Sequence, residues 1–179
     1  MSLINQVNIE IIQGDITLQP DIEAIVNAAN AMLVEGGGVC GAIYRAAGPE
    51  LEKESRLLAP IRPGEAVLTG AYRLPNKYII HCLGPVYGMD KPEDELLAAC
   101  YSNALKLADK YKIKSVAFPA ISTGIFGYPI EEAADVVFTV ISKVRPELQY
   151  VRLVRFVLFS NSDLCVYESK MSRFTHSSL

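Results

Sequence analysis

The sequence predicts a three-layer α/β/α sandwich, with helices on both faces of a mainly parallel central sheet. Three observations predict it. Short apolar runs alternate along the chain with longer stretches whose apolar residues recur partly at helical spacing, which is the pattern of an α/β domain. The 179 residues, 50% of them hydrophobic, suffice for one full core, since domains cluster at about 100–200 residues. Two glycine-bearing segments fall where a strand gives way to a helix, and such sheets hold ligands beyond the carboxyl ends of their strands.

In chain order, Val7, Ile9 and Ile11 alternate with polar neighbours and read as a half-buried strand ending at Gly14. Ala24-Ile25-Val26 reads as a buried strand that runs into the polar Asn27-Ala28-Ala29-Asn30. Val39 to Ala47 reads as a helix stopped by Gly48-Pro49, and Leu51 to Leu58 as a second helical segment ending near Pro60 and Pro63. Ala66 to Thr69 and Tyr78 to Cys82 are strands, separated by the turn signal Pro75-Asn76. Glu93 to Tyr111 reads as a helix and Ser115 to Phe118 as a buried strand ended by Pro119. Pro129 starts the next helix at its first turn, followed by Glu131 and Glu132 where acids suit the dipole. Val151 to Phe159 is the last strand, and a short helix runs through Val166-Tyr167-Glu168. Residues 172–179 read as a frayed tail, which leaves one domain over 1–179 with its core at about 7–171.

Composition excludes several classes. No apolar run approaches the roughly 18–20 residues of a membrane span, and Met1 to Glu10 lacks the basic start and apolar block of a secretory signal. The formal net charge is −3, and the densest basic stretch, Lys106, Lys110, Lys112 and Lys114, reads as a solvated helix end and loop. No nucleic-acid partner is therefore expected. Cys40, Cys82, Cys100 and Cys165 lie far apart and only two histidines exist, so neither a metal site nor a cofactor is expected. Scattered thiols point to a cytoplasmic location.

Gly36-Gly37-Gly38-Val39-Cys40-Gly41 matches G-x-G-x-x-G in form only. Nine residues separate it from Val26, and the region of Glu54 to Arg56, where an acid ending a second strand would stand, reads as helix. The glycines still let backbone approach a ligand and turn N–H groups toward it, ahead of a helix N-terminus. A second loop of similar design, from Pro119 through Ser122, Thr123, Gly124, Ile125 and Phe126 to Pro129, offers two hydroxyls, unhindered backbone and an aromatic face. Two such loops suit a pyrophosphate, one on each side. Asp15, after the first strand, can accept a hydrogen bond from an adenine amino group or serve as a turn residue before Thr17. Phe159 can stack on the base or belong to the core.

The motifs Gly14-Asp15-Ile16-Thr17, Ile25-Val26-Asn27-Ala28-Ala29-Asn30, Gly36-Gly37-Gly38-Val39, Gly41-Ala42-Ile43, Arg45-Ala46-Ala47-Gly48, His81-Cys82-Leu83-Gly84-Pro85, Ala117 to Gly124 and Gly127-Tyr128-Pro129 occur in that order. Together they resemble the macrodomains, most closely the MacroD-type branch of ADP-ribosyl hydrolases, from about Val7 to Met171. The resemblance implies ADP-ribose in a cleft above a mixed sheet. It implies Asp15 on the adenine amino group, the Ile16 backbone on the ring and Phe159 stacked on it. Gly36, Gly37, Gly38 and Val39 would wrap the pyrophosphate and distal ribose together with Ser122, Thr123, Gly124, Ile125 and Phe126. Asn30 would orient the distal ribose for hydrolysis.

The sequence departs from that branch at the reacting end. Where the family pattern carries an aspartate implicated in placing or activating the attacking water, this chain has Cys40, and the usual histidine four residues later is Tyr44. A thiol is a poor base at neutral pH. Three readings of Cys40 follow: binding with weakened or lost hydrolysis, residual hydrolysis through a water held by Asn30 and the pyrophosphate, or a nucleophilic thiol at a helix N-terminus. The expected substrates are mono-ADP-ribosylated acidic side chains of proteins or O-acetyl-ADP-ribose, and the alternative is a reader that binds ADP-ribose without cleaving it.

Overall fold

A computed structural model describes residues 6–176. Six strands form one sheet in the order β1-β6-β5-β2-β4-β3: β1 (Asn8–Gln13), β2 (Ala24–Ala28), β3 (Ala66–Gly70), β4 (Tyr78–Cys82), β5 (Ser115–Phe118) and β6 (Leu153–Leu158). The first five neighbours in that order run parallel, and edge strand β3 is antiparallel to β4. The Pro75-Asn76 turn signal explains the one antiparallel pair, because β3 and β4 are joined by a short connection rather than a helix.

Two apolar layers flank the sheet. On one face α3 (Glu93–Lys110), α4 (Ile130–Val144) and α5 (Asn161–His176) pack Leu97, Tyr101, Phe138 and Tyr167 against Phe118 and Phe156. On the other, α1 (Gly38–Ala47) and α2 (Glu50–Ser55) pack Ile43, Tyr44 and Leu51 against Ile25, Ile79 and Val157, and loop 14–22 adds Ile16 and Ile22. This is the expected three-layer sandwich. Covering both faces is why the central strands carry continuous apolar runs. A third, smaller cluster of Ala29, Leu33, Ile61 and Leu83 lies under the loops, with Phe126 packed on it.

Several expected boundaries need correction. The last helix is 16 residues long rather than one short turn around Tyr167, and it includes residues 172–176 of the expected tail; residues 177–179 lie outside the described residues, as do residues 1–5 of the expected leaderless N-terminus. Strand β6 is shorter than 151–159, which leaves Phe159 just beyond its end. Pro129 is the N-cap of α4, one residue ahead of its first turn. No helix among the described residues is long and apolar enough to cross a membrane.

Candidate functional site

Because β1, β6, β5, β2 and β4 are parallel, the loops that follow them emerge at one edge of the sheet. That edge gathers Asp15 and Ile16 after β1, Asn30 and Gly36 to Val39 after β2, Ser122 to Phe126 after β5, and Phe159 after β6. Direct contacts tie the loops together in pairs. Gly14 N–H donates to the Leu158 carbonyl at 3.0 Å, which joins the Asp15 and Phe159 segments. Tyr87 N–H donates to the Phe126 carbonyl at 2.9 Å, and Phe126 shares an apolar cluster with Ala29 and Leu33.

The glycine loop is closed by side chains on the elements around it. Asn30 Nδ2 donates to the Val34 carbonyl at 2.8 Å, and Asn30 Oδ1 accepts from Val34 N–H at 3.2 Å. Leu33 is fully buried at φ 53°, a left-handed conformation for a branched side chain. Two hydroxyls hold its carbonyl, Tyr44 Oη and Ser55 Oγ, each at 2.7 Å. Gly41 lets α1 approach this loop, since a Cβ there would overlap the Gly36 carbonyl oxygen. N-cap Gly37 makes no side-chain cap, and the N–H groups of Gly37, Gly38 and Val39 have no hydrogen-bond partner among the described residues. The start of α1 therefore presents donors and the positive end of its dipole.

Cys40 is buried on the inner face of α1. Its thiol donates to the Val34 carbonyl at 3.5 Å, and Asn27 Nδ2 approaches Sγ at 3.8 Å. Burial pushes the thiol up, against the opposite pull of the Asn27 amide and of the Gly36 and Asn30 backbone N–H groups. A buried, protonated thiol is a poor nucleophile. Asn27 Nδ2 also donates to His81 Nδ1 at 3.1 Å, so His81 carries its proton on Nε2 and donates to Thr69 Oγ1 at 2.9 Å. Thr69 Oγ1 in turn donates to the Gly70 carbonyl at 3.0 Å. Burial pushes the pKa of His81 down to about 3, so the ring is neutral.

The second loop uses its two hydroxyls differently. Thr123 Oγ1 donates within the loop, to the Ala120 carbonyl at 2.8 Å, while Ser122 Oγ is buried with no hydrogen-bond partner among the described residues. Ser122 takes φ 67° and packs so closely on Gly84 that a Cβ at Gly84 would overlap its hydroxyl oxygen. The loop's exposed tip offers backbone. The N–H groups of Gly124, Ile125 and Phe126 have no partner among the described residues, and the Ile125 side chain is 99% exposed.

At the far end, one oxygen of Asp15, Oδ1, accepts from both Thr17 N–H (2.8 Å) and Thr17 Oγ1 (2.6 Å). This is the turn role anticipated for Asp15, and it leaves Oδ2 without a partner among the described residues. The Ile16 side chain is buried, and its N–H makes no hydrogen bond among the described residues. Phe159 is 89% exposed, which excludes the core alternative.

The groups that sequence reasoning missed are those that hold the loops: Ser55, Leu33 and Val34, the His81–Thr69 pair and Gly84. Of these, His81 and Gly84 stood in the motif His81-Cys82-Leu83-Gly84-Pro85 at the end of β4, with no role attached to either.

Comparison with known proteins agrees with this geometry. The Macro domain family model matches residues 26–137. A macro domain-containing protein of Chlorobaculum tepidum is 46% identical over 169 residues, covering 94% of this chain and 98% of its own. The ADP-ribose glycohydrolase MACROD2 of Xenopus laevis is 44% identical over 165 residues, 90% of this chain but 39% of that longer protein. A variant of the Oceanobacillus iheyensis macrodomain, solved with ADP-ribose (ADPR), superposes at a TM-score of 0.91 with 41% identity, over 97% of this chain and 96% of its own. With the family model spanning more than half of its length and a relative aligned along nearly all of it, the chain belongs to the macrodomain family.

Proposed function

We propose that this chain binds ADP-ribose across the carboxyl edge of the sheet. One observation carries the reading: two rows of unpartnered backbone N–H groups, Gly37 to Val39 and Gly124 to Phe126, in loops that contain no lysine or arginine. Such donors suit the two phosphates of a pyrophosphate without any cationic side chain. Phe159 and the free Asp15 oxygen then serve the adenine, and Asn30 with Phe126 the distal ribose. The MACROD2 relative is an ADP-ribose glycohydrolase and the bacterial macrodomain variant holds ADP-ribose, which supports both ligand and reaction class.

The reaction we assign is hydrolysis of ADP-ribosyl esters, on acidic side chains of proteins or on O-acetyl-ADP-ribose, at a rate lowered by Cys40. Its protonated thiol is engaged with the Val34 carbonyl and cannot act as a base. The same fact favours the second reading, a reader that binds without cleaving. Three of the four unpaired cysteines are buried, and unpaired thiols suit a cytoplasmic setting.

Calorimetry with ADP-ribose tests the ligand: no heat at high micromolar concentration overturns the assignment. Turnover of an ADP-ribosylated glutamate substrate by the unmodified chain and by Cys40→Asp tests the chemistry. The Asn27 amide, 3.8 Å from Sγ, can donate to a carboxylate at position 40. The variant should gain about 10²-fold in rate, the lower end of what a positioned base supplies, with little change in affinity. Full family-like turnover by the unmodified chain would remove the reader, and loss of that turnover in Cys40→Ala would show that the thiol reacts.

A further inference from the structure

Arg155 takes no part in the cleft described above, yet it is bound on every side. It stands on β6 beside Glu10 of β1, on the sheet face that loop 14–22 crosses. Its Nε donates to Glu10 Oε2 at 2.7 Å, and its Nη1 and Nη2 to the two Asp21 oxygens at 2.9 and 2.7 Å. Those two carboxylates are 45% and 61% exposed, and ion pairs of that kind contribute little by themselves. The fourth contact has another consequence. Nη1 also donates to Gln19 Oε1 at 2.9 Å, and Gln19 is 6% exposed.

A guanidinium can only donate, so Gln19 must turn its oxygen toward Arg155 and aim Nε2 the other way. Nε2 then donates to the Asp15 carbonyl at 2.9 Å, which also receives Leu18 N–H at 3.1 Å. The main chain of Gln19 is fixed as well, its carbonyl accepting from Asn76 Nδ2 at 2.8 Å and from Ile22 N–H at 3.1 Å. The Asp15 carbonyl and the Ile16 N–H belong to one planar trans peptide and point in opposite directions. Drawing the carbonyl toward Gln19 therefore turns the Ile16 N–H away from Gln19, where it has no partner among the described residues.

We infer that Arg155 is a positioning residue for base recognition: through Gln19 it sets the peptide plane that aims the Ile16 N–H, and so the Asp15 carboxylate beside it, at the adenine edge. The inference rests on the ADP-ribose reading of the cleft. Adenine offers an amino hydrogen and a ring-nitrogen acceptor, which match the carboxylate and the N–H. Hypoxanthine offers a carbonyl oxygen and a ring N–H, which oppose both.

The test measures three affinities by calorimetry: for ADP-ribose, for its hypoxanthine counterpart and for ribose 5-phosphate. Two variants are compared with the unmodified chain. Arg155→Met removes the cation, and Gln19→Glu keeps a partner for Arg155 while replacing the donor to the Asp15 carbonyl by an acceptor. Both should lower the preference for ADP-ribose over the hypoxanthine counterpart by about fivefold, the worth of one hydrogen bond, and leave ribose 5-phosphate binding unchanged. Gln19→Glu carries the test should Arg155→Met fold poorly. An unchanged preference in Gln19→Glu, or equal weakening of all three ligands, overturns the inference while leaving the cleft intact. An unmodified chain that does not bind ADP-ribose overturns the cleft assignment and this inference with it.

Discussion

Removing one hydroxyl from the pair that holds Leu33 should cost little, and removing both should cost more than twice as much. Leu33 is fully buried in a left-handed conformation, which costs about 1–2 kcal/mol for a residue with a Cβ. Its carbonyl accepts from Tyr44 Oη and Ser55 Oγ, both at 2.7 Å, and the two oxygens are 3.0 Å apart. Tyr44→Phe keeps the ring against His81 and leaves Ser55 to hold the carbonyl. The loss should be about 1 kcal/mol, or about 2–4 °C in Tm for a chain of this size. Ser55→Ala should behave alike. The double variant leaves a buried carbonyl with no donor, a further penalty of about 1–3 kcal/mol. Urea unfolding of the four proteins measures the coupling. A double variant that loses only the sum of the singles, within about 0.5 kcal/mol, would refute the idea that the two hydroxyls share one acceptor.

Three other outcomes follow from the same geometry. His81 is held neutral with a pKa of about 3 against an ordinary 6.5, so the unfolded chain takes up a proton that the folded chain refuses. Stability is then full above pH 6.5 and falls as pH drops toward 3, by up to about 1.4 kcal/mol per pH unit. In His81→Gln that slope should vanish above the carboxylate range, and an unchanged slope would assign it to other groups. Gly41→Ala would stabilise a free helix, by about 1 kcal/mol. Here the new Cβ would meet the Gly36 carbonyl, and ADP-ribose should bind about tenfold more weakly in calorimetry, as for one lost hydrogen bond. Phe159→Ala removes an 89% exposed ring. It should leave Tm unchanged while weakening ADP-ribose by about 1–3 kcal/mol through lost stacking, with ribose 5-phosphate binding unaffected.

The strands and the two glycine loops were legible because their signals are local. The runs at 24–26, 78–82 and 115–118 carry their own periodicity, and Gly36 to Gly38 state a backbone requirement within three residues. Helix α5 was underestimated because polar residues such as Ser162, Ser169 and Ser172 interrupt its apolar positions and Tyr167 is its one fully buried side chain among those described. The supports of the loops were not legible, for they join residues far apart in the chain. Ser55 reaches Leu33 across 22 positions and Arg155 reaches Gln19 across 136. Burial decides their meaning, and no short window of sequence contains it. Tyr44 shows the difference plainly. Its substitution was visible, but its consequence became readable only once its hydroxyl was found on the Leu33 carbonyl.

The strand order also constrains when binding competence can arise during synthesis. Strand β1 pairs only with β6, and β6 lies between β1 and β5. A nascent chain that has emerged through α4 holds Asp15 and both glycine loops, yet its first strand has no docking partner. The end of the cleft that we propose reads the base is therefore completed only when residues 153–159 are threaded between two strands already made. Until then an emerging chain can offer its phosphate loops but not a place for the nucleobase, so recognition of the whole nucleotide reports that the sheet has closed.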